Sequence, residues 1–326
     1  MPRKNIFQNE KTQNIFDNLI NQIDRIKRRN NEKGFSTQAR YYASAKRFCK
    51  FLAEDFRCQK FANVSTKHLK AYVEKLQSEG KSAQYIDTEL SGIRFYHERS
   101  GSKNILPENK ALNLEKRHPK KFDRSFMREE IKGAYTCADA MGRTDVKAGI
   151  RLCYRFGLRL EEAVTLRVEQ VEHAVRYGQL EIKNGKGGQA RTIPVETKAQ
   201  RNALLNLCEF AKEQKKQPTD YLLCDNRKHS VKKCKKSLEN WMSNHRSKFL
   251  AQNRISVTEP GKKPRIASPG WHGFRHSYYQ VTKARLIREN SMTMDEIERE
   301  MSERLGHHRN EVNGYYDCYL PPSKKE

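Results

Sequence analysis

Pro269-Gly270-Trp271-His272-Gly273-Phe274-Arg275-His276 is the stretch on which the reading of this chain turns. The proline–glycine pair suits a helix start, and His272 and Arg275, three positions apart, then leave the same face of that helix. A guanidinium holds a phosphate bidentately and an imidazole passes a proton, so the pair suits a single phosphodiester. Alone, such a pair is ordinary surface polarity, because short motifs recur by chance. Its company gives it weight.

Upstream, an apolar helical segment from Leu152 to Phe156 breaks at Gly157, and Arg159 follows in Gly157-Leu158-Arg159-Leu160-Glu161-Glu162. An arginine just after a glycine break either points into a cleft or caps a helix end. Next, Leu180–Lys183 and Arg191–Val195 flank Asn184-Gly185-Lys186-Gly187-Gly188 and read as a β-hairpin with Lys186 at its tip. By composition that lysine is a solvated charge. The hairpin is not a nucleotide loop, since G-x-x-x-x-G-K-[ST] is missing. Downstream, Thr293 and Glu296 form a capping box for a helix that ends at Leu305-Gly306-His307-His308. Tyr315, Tyr316 and Tyr319 come last. A phenol with a pKa of about 10 becomes a nucleophile only where neighbouring cations favour the phenolate.

Taken in this order, Arg159, Lys186, His272-x-x-Arg275, Leu305-Gly306-His307 and the tyrosines resemble the tyrosine recombinase (phage integrase) family of lambda-integrase-like site-specific recombinases, over about residues 36 to 320. The resemblance implies a mainly α fold. An N-terminal helical, SAM-like core-binding domain would precede a mostly α-helical catalytic domain with a small β-sheet or hairpin, the two clamped around duplex DNA. It implies catalytic roles for Arg159, Lys186, His272, Arg275, His307 and Tyr316, with Glu162 supporting the first arginine. Tyr316 falls nine positions after His307, the family's usual spacing for the nucleophile. Tyr319 is the second choice, Tyr315 reads as packing, and His308 is the alternative to His307, one residue out of register.

The implied reaction is attack by the tyrosine on the scissile phosphate to give a 3′-phosphotyrosyl link and a free 5′-hydroxyl. The two arginines and two histidines stabilise the pentavalent phosphorus, and Lys186 protonates the leaving oxygen. A second DNA's 5′-hydroxyl reverses the step, so neither ATP, metal nor other cofactor is called for. Implied partners are double-stranded DNA and further copies of the chain, monomeric or weakly associated when free and a homotetramer on two DNA sites. Accessory DNA-bending proteins are compatible with the family. Integration or excision of a mobile genetic element is favoured over resolution of chromosome dimers. Two rivals stand beside it: type IB topoisomerase-like relaxation of DNA, and a DNA-binding protein of the same fold without catalysis.

Charge agrees with a polyanionic partner. The 326 residues carry 65 Lys+Arg against 39 Asp+Glu, a formal net charge of +26. A membrane surface is the weaker reading, because no apolar run is long enough to span a bilayer and the start, Met1-Pro2-Arg3-Lys4, leads into polar sequence. The expected location is cytoplasmic, prokaryotic and DNA-associated. The 8 cysteines show no metal-binding spacing and read as reduced, mostly core thiols.

Four expected regions follow: an extension over residues 1–30, a helical DNA-binding domain over 31–102, a basic linker over 103–122 and a catalytic domain over 123–326. Within the second region, Tyr42, Ala45, Cys49, Leu52 and Phe56 make an apolar stripe from Ser36 onward, with Lys46, Arg47 and Lys50 opposite as candidate DNA contacts. Helices from Ser65 and Ser82 follow, each with a serine suited to capping. In the last region Arg191, Lys232, Lys233, Lys235 and Lys236 are candidate DNA contacts; the four lysines belong to the run Arg227–Lys236, behind which Val231, Cys234, Leu238 and Trp241 form an apolar stripe.

Overall fold

A computed structural model describes residues 5–30, 34–115, 124–183, 185, 188–225, 230–251, 256–257, 265–266, 269–289 and 292–307. The chain divides into two compact units, Met1–Pro119 and Lys120–Glu326.

The first unit is helical among the described residues, with α1 (Glu10–Arg29), α2 (Phe35–Phe51), α3 (Thr66–Ser78) and α4 (Ala83–Glu98). Each helix lays an apolar stripe on a common core of Phe16, Leu19, Ile23, Phe48, Leu52, Leu69, Ile86 and Ile93. The extension expected at residues 1–30 therefore supplies core. Asn9, not a serine, caps α1 by accepting from the backbone of Lys11 and Thr12. The next helix starts one residue before Ser36, with Gly34 at its cap. Ser65 and Ser82 do cap α3 and α4. After α2 the helix widens into one π turn, Leu52–Phe56, and Arg57 ends it with a left-handed φ of 47°. Part of the expected linker is tied down as well. Arg94 donates to the Pro107 carbonyl at 3.1 and 2.6 Å and to Asn109 at 2.7 Å, and Leu112 is buried.

In the second unit, α5 (Arg128–Ala140), α6 (Thr144–Arg155), a short α7 (Leu160–Val164) and α8 (Val168–Tyr177) precede an antiparallel pair, β1 (Gln179–Ile182) and β2 (Arg191–Pro194). Then come α9 (Lys198–Glu213), α10 (Val231–His245), a two-residue ladder β3 (Ser256–Val257) with β4 (Arg265–Ile266), α11 (Trp271–Glu289) and α12 (Met294–Leu305). Mainly α with a small sheet describes both the expectation and the structure, although the second ladder and α8 as a separate helix go beyond what was expected. Apolar residues of α6, including Ile150, Leu152 and Cys153, lie at the centre, and α9 and α11 both pack on that helix. Four of the cysteines, Cys49, Cys153, Cys224 and Cys234, are buried free thiols.

Candidate active site

The site begins where α6 stops. Gly157 takes a left-handed φ of 61°, which a glycine adopts without steric cost. A Cβ there would stand 2.3 Å from a ring carbon of Tyr278 on α11, so both the turn and the close approach need glycine. The turn sends Arg159 to the N-cap of α7. Glu162, one helical turn on, accepts from the Arg159 backbone at 2.8 Å and from its guanidinium at 2.8 Å. Both bonds run from Arg159 to Glu162, and together they fix the arginine and the acid in place.

On α11, Trp271 anchors the first turn by donating from Nε1 to the Leu238 carbonyl at 2.8 Å and by stacking its ring edge on Gly149. His272 is left at the rim, exposed. One turn on, Arg275 is 0 % exposed, and its Nη1 donates to the Gly157 carbonyl at 2.6 Å. Its Nη2 donates to the Leu305 carbonyl and lies 3.1 Å from Nε2 of His307. Arginine has no acceptor, so Nε2 of His307 accepts and the ring proton sits on Nδ1. Nη1 of Arg275 is also 3.9 Å from Glu162 Oε2. Arg159, Arg275 and His307 thus meet around one carboxylate and its neighbours.

The helix that delivers His307 ends as the sequence indicates. Thr293 and Glu296 form the capping box of α12, and Gly306 closes it with φ 61° while the His307 amide returns to the Ser302 carbonyl at 3.0 Å.

Arg191 differs from expectation. As a candidate DNA contact it should face solvent; its side chain is instead 4 % exposed. Nη1 and Nη2 grip the two Glu162 oxygens at 2.8 and 2.6 Å, and Nε donates to the Arg304 carbonyl at 2.9 Å. The signal was present in the strand itself. Side chains two apart share a face, and Ile193 is a core residue, so Arg191 points inward with it.

Electrostatics follow from this crowding. Burial alone would raise the Glu162 pKa, but the hydrogen bonds and charge of Arg191, the Arg159 amide and Arg275 overcome it and hold the acid at about 2. The histidines move down because their charged forms are disfavoured. Desolvation comes first, then cationic neighbours: Arg275, Arg159 and Arg124 put His272 at about 4, and Arg275, Arg159, His272 and Arg191 put His307 at about 3. His276, whose ring centroid is 4.9 Å from that of His272, is held at about 3 by burial and then by His272, Arg124 and Arg275. The exposed edge of His272 lets solvent reach a ring whose other side is packed. All three imidazoles are neutral at pH 7.

Beside the arginine and histidine lies a cavity of about 400 Å³ lined by Arg159, Lys235, Arg246, Trp271, His272 and the acidic Glu161 and Glu239. Lys232, Lys233 and Lys236 of α10 are exposed, whereas Lys235 is paired with Glu161 at 2.7 Å. In the first unit Lys46 and Lys50 are exposed. Arg47 is half exposed and held by the buried Glu89 through Nε at 3.0 Å. Lys186, His308, Tyr315, Tyr316 and Tyr319 lie outside the described residues, as do Arg227–His229. No cluster of metal-binding side chains occurs among the described residues.

A model of the phage integrase family matches residues 124–316, which is more than half of the chain. The chain belongs to the phage integrase family. Tyrosine recombinase XerC of Pseudomonas fluorescens is 27% identical over 156 residues, 46% of this integrase-family chain and 50% of that protein. Tyrosine recombinase XerA of Pyrococcus furiosus is 27% identical over 124 residues, 38% of this chain and 41% of that one. The chain thus spans about half the length of the curated relatives it matches. Among solved structures, a lambda integrase dimer bound to a COC′ core site superposes with a TM-score of 0.65 at 15% identity, covering 94% of this chain and 96% of that one. XerH recombinase bound to its difH substrate gives a TM-score of 0.56 at 15% identity, covering 97% and 87%. At such identity the likeness is one of fold.

Proposed function

We propose that this phage integrase family member is a site-specific DNA recombinase that cuts and rejoins duplex DNA through a 3′-phosphotyrosyl link at Tyr316. One observation carries the reading: Arg159 and Arg275, far apart in sequence, are held by the same Glu162 carboxylate, with His272 and His307 alongside. Such preorganised donors stabilise charge that develops on a phosphorus during in-line displacement.

The geometry supports one way of receiving a phosphate. Arg159 and His272 face the cavity, so they meet the scissile phosphate first. A phosphate oxygen then replaces Nε2 of His307 as the acceptor for Nη2 of Arg275, and the released imidazole turns its own N–H to a second oxygen. With a pKa near 4, His272 is neutral and able to take the tyrosine proton. Lys186 protonates the departing 5′ oxygen. The exposed lysines of α10 and the basic face of α2 hold flanking phosphates.

Relatives of this fold are seen as a lambda integrase dimer on a core site and as a lambda integrase tetramer on a Holliday junction. The same assembly, four copies on two duplexes, fits a reaction that needs two sites. DNA-bending accessory proteins and the movement of a mobile element complete the proposal. Among the described residues no helix is long and apolar enough to cross a membrane.

The test uses nicked duplexes tiled from the DNA flanking the gene, incubated with parent and Arg275→Ala protein. The parent should form a covalent adduct; the variant should bind DNA but cleave about 10² to 10³ times more slowly. Equal cleavage by both removes Arg275 from the chemistry. Relaxation of plasmids that lack any specific site would point to a topoisomerase instead.

A further inference from the structure

Arg191 touches the supports of Arg159, Arg275 and His307 together. Its fork holds both oxygens of Glu162, the acid behind Arg159 and Arg275. Its Nε holds the Arg304 carbonyl, and its Cδ lies against Gly306, where an added Cβ would stand at 3.0 Å; these atoms belong to the turn that presents His307. At the other end a Cβ on Gly185 would lie 3.6 Å from Arg191 Nη1, and Gly185 is the residue before Lys186 in the hairpin. The Gly185 amide is in turn tied to the Gln189 carbonyl at 3.0 Å.

We propose that Arg191 is a positioning residue that locks the hairpin, the Arg159–Glu162 cap and the Gly306–His307 turn into one catalytic geometry, without touching DNA itself. The inference rests on the strand-cleavage reading above and deepens it. Its physical basis is the planar fork: five N–H donors in fixed directions satisfy a carboxylate and a carbonyl together, which a lysine's point charge does not do. Burial makes the arrangement rigid, and it also makes the carboxylate dependent on its partners.

That dependence supplies a readout that bulk packing would not move. The charged and titratable groups facing Glu162 are Arg159 at its own cap, Arg191 from β2, Arg275 from α11 and the Cys153 thiol from α6, whose ionisation the acid disfavours. Removing Arg191 takes away the largest force opposing burial, so Glu162 should protonate at a higher pH. Once neutral it no longer holds Arg159 and Arg275 in place.

The experiment measures single-turnover adduct formation on the nicked duplex from about pH 5 to 8, with DNA affinity in parallel, for parent, Arg191→Lys, Arg191→Met and Arg191→Met/Glu162→Gln. Arg191→Lys, which keeps the charge, guards against a variant that fails to fold. Expected are DNA affinities within about twofold of the parent and cleavage slowed about 10²-fold in Arg191→Lys and Arg191→Met. Arg191→Met should also slow further as the pH falls, while the parent does not, and the added Glu162→Gln should abolish that acid limb. Parent-like rates in both single variants, or a slowed Arg191→Met with the parent's pH profile, overturn the inference. If the parent itself forms no adduct, the cleavage reading fails. The His307 ring titration followed by NMR then decides the role of Arg191: a titration in Arg191→Lys displaced from the parent's supports it, and an unchanged one contradicts it.

Discussion

The Gly157 carbonyl receives Arg275 at 2.6 Å, and the Gly157 Cα faces the Tyr278 ring so closely that no side chain fits between them. The residue that breaks α6 therefore also seats the second arginine. Gly157→Ala forces a left-handed alanine and a clash with Tyr278 together. The expected result is a loss of at least ~2 kcal/mol in urea unfolding and a fall in cleavage exceeding the fall in DNA binding. A variant as stable and active as the parent would show that the turn tolerates a side chain.

Acid should destabilise the second unit. Glu162 has a folded pKa of about 2, below its unfolded value, so its stabilisation is present above about pH 4.5 and is lost as the pH falls towards 2. A displacement of this size corresponds to on the order of 3 kcal/mol. His272, His276 and His307 act in the same direction. Neutral in the folded protein, they contribute stability above their unfolded pKa of about 6.5 and lose it as the pH falls towards about 3 or 4. Both tryptophans of the chain, Trp241 and Trp271, lie in this unit, so their fluorescence reports it. The midpoint in urea should drop steadily from about pH 7 to 4. A midpoint independent of pH over that range would contradict the desolvation and cationic neighbours that keep these rings neutral.

How much of this was legible in the sequence differs from residue to residue, for physical reasons. The break at Gly157, the hairpin strands and the Thr293–Glu296 box are local signals, and local signals survive folding. The His272–Arg275 spacing placed both side chains on one helix face, but not at one depth: Trp271 anchoring the first turn leaves His272 at the rim while Arg275 sinks to 0 % exposure. The burial of Arg191 depends on an acid far away in sequence, and an arginine after a glycine-rich turn reads as surface until the inward register of Ile193 is applied to it. Helix α8 goes beyond the sequence reading, although Val168, Val171 and Ala174 have helical spacing. Similarly, the stripe of Phe16, Leu19, Ile23 and Ile26 marks residues 11–30 as a candidate helix, but the segment reads as an extension because the stripe gives no hint of the core that it covers.

In the first unit, Gly92 on α4 lets that helix approach α2. A Cβ would meet the Ser44 Cβ at 2.8 Å and the Tyr41 backbone at 3.0 Å. Gly92→Val should push the helices apart and cost about 1 to 3 kcal/mol, seen as a lower midpoint in the far-UV circular dichroism melt. An unchanged melt would mean that the helix pair has slack at this point.

Lysines of α10 should differ in their share of DNA affinity. Lys233 is exposed, whereas Lys235 is already neutralised by Glu161. Lys233→Gln should lower the slope of log affinity against log salt by about 1, and Lys235→Gln by clearly less. Equal slopes for parent and Lys233→Gln would take α10 off the DNA backbone.

The most direct measurement is the identity of the residue that becomes linked to DNA. Parent, Tyr316→Phe and Tyr319→Phe proteins are trapped on the nicked duplex, resolved on a denaturing gel and digested for peptide mass spectrometry. An adduct is expected in the parent and in Tyr319→Phe and none in Tyr316→Phe, with a nucleotide on the peptide containing Tyr316. An adduct that persists in Tyr316→Phe, or no adduct from the parent on any duplex flanking its gene, would contradict it.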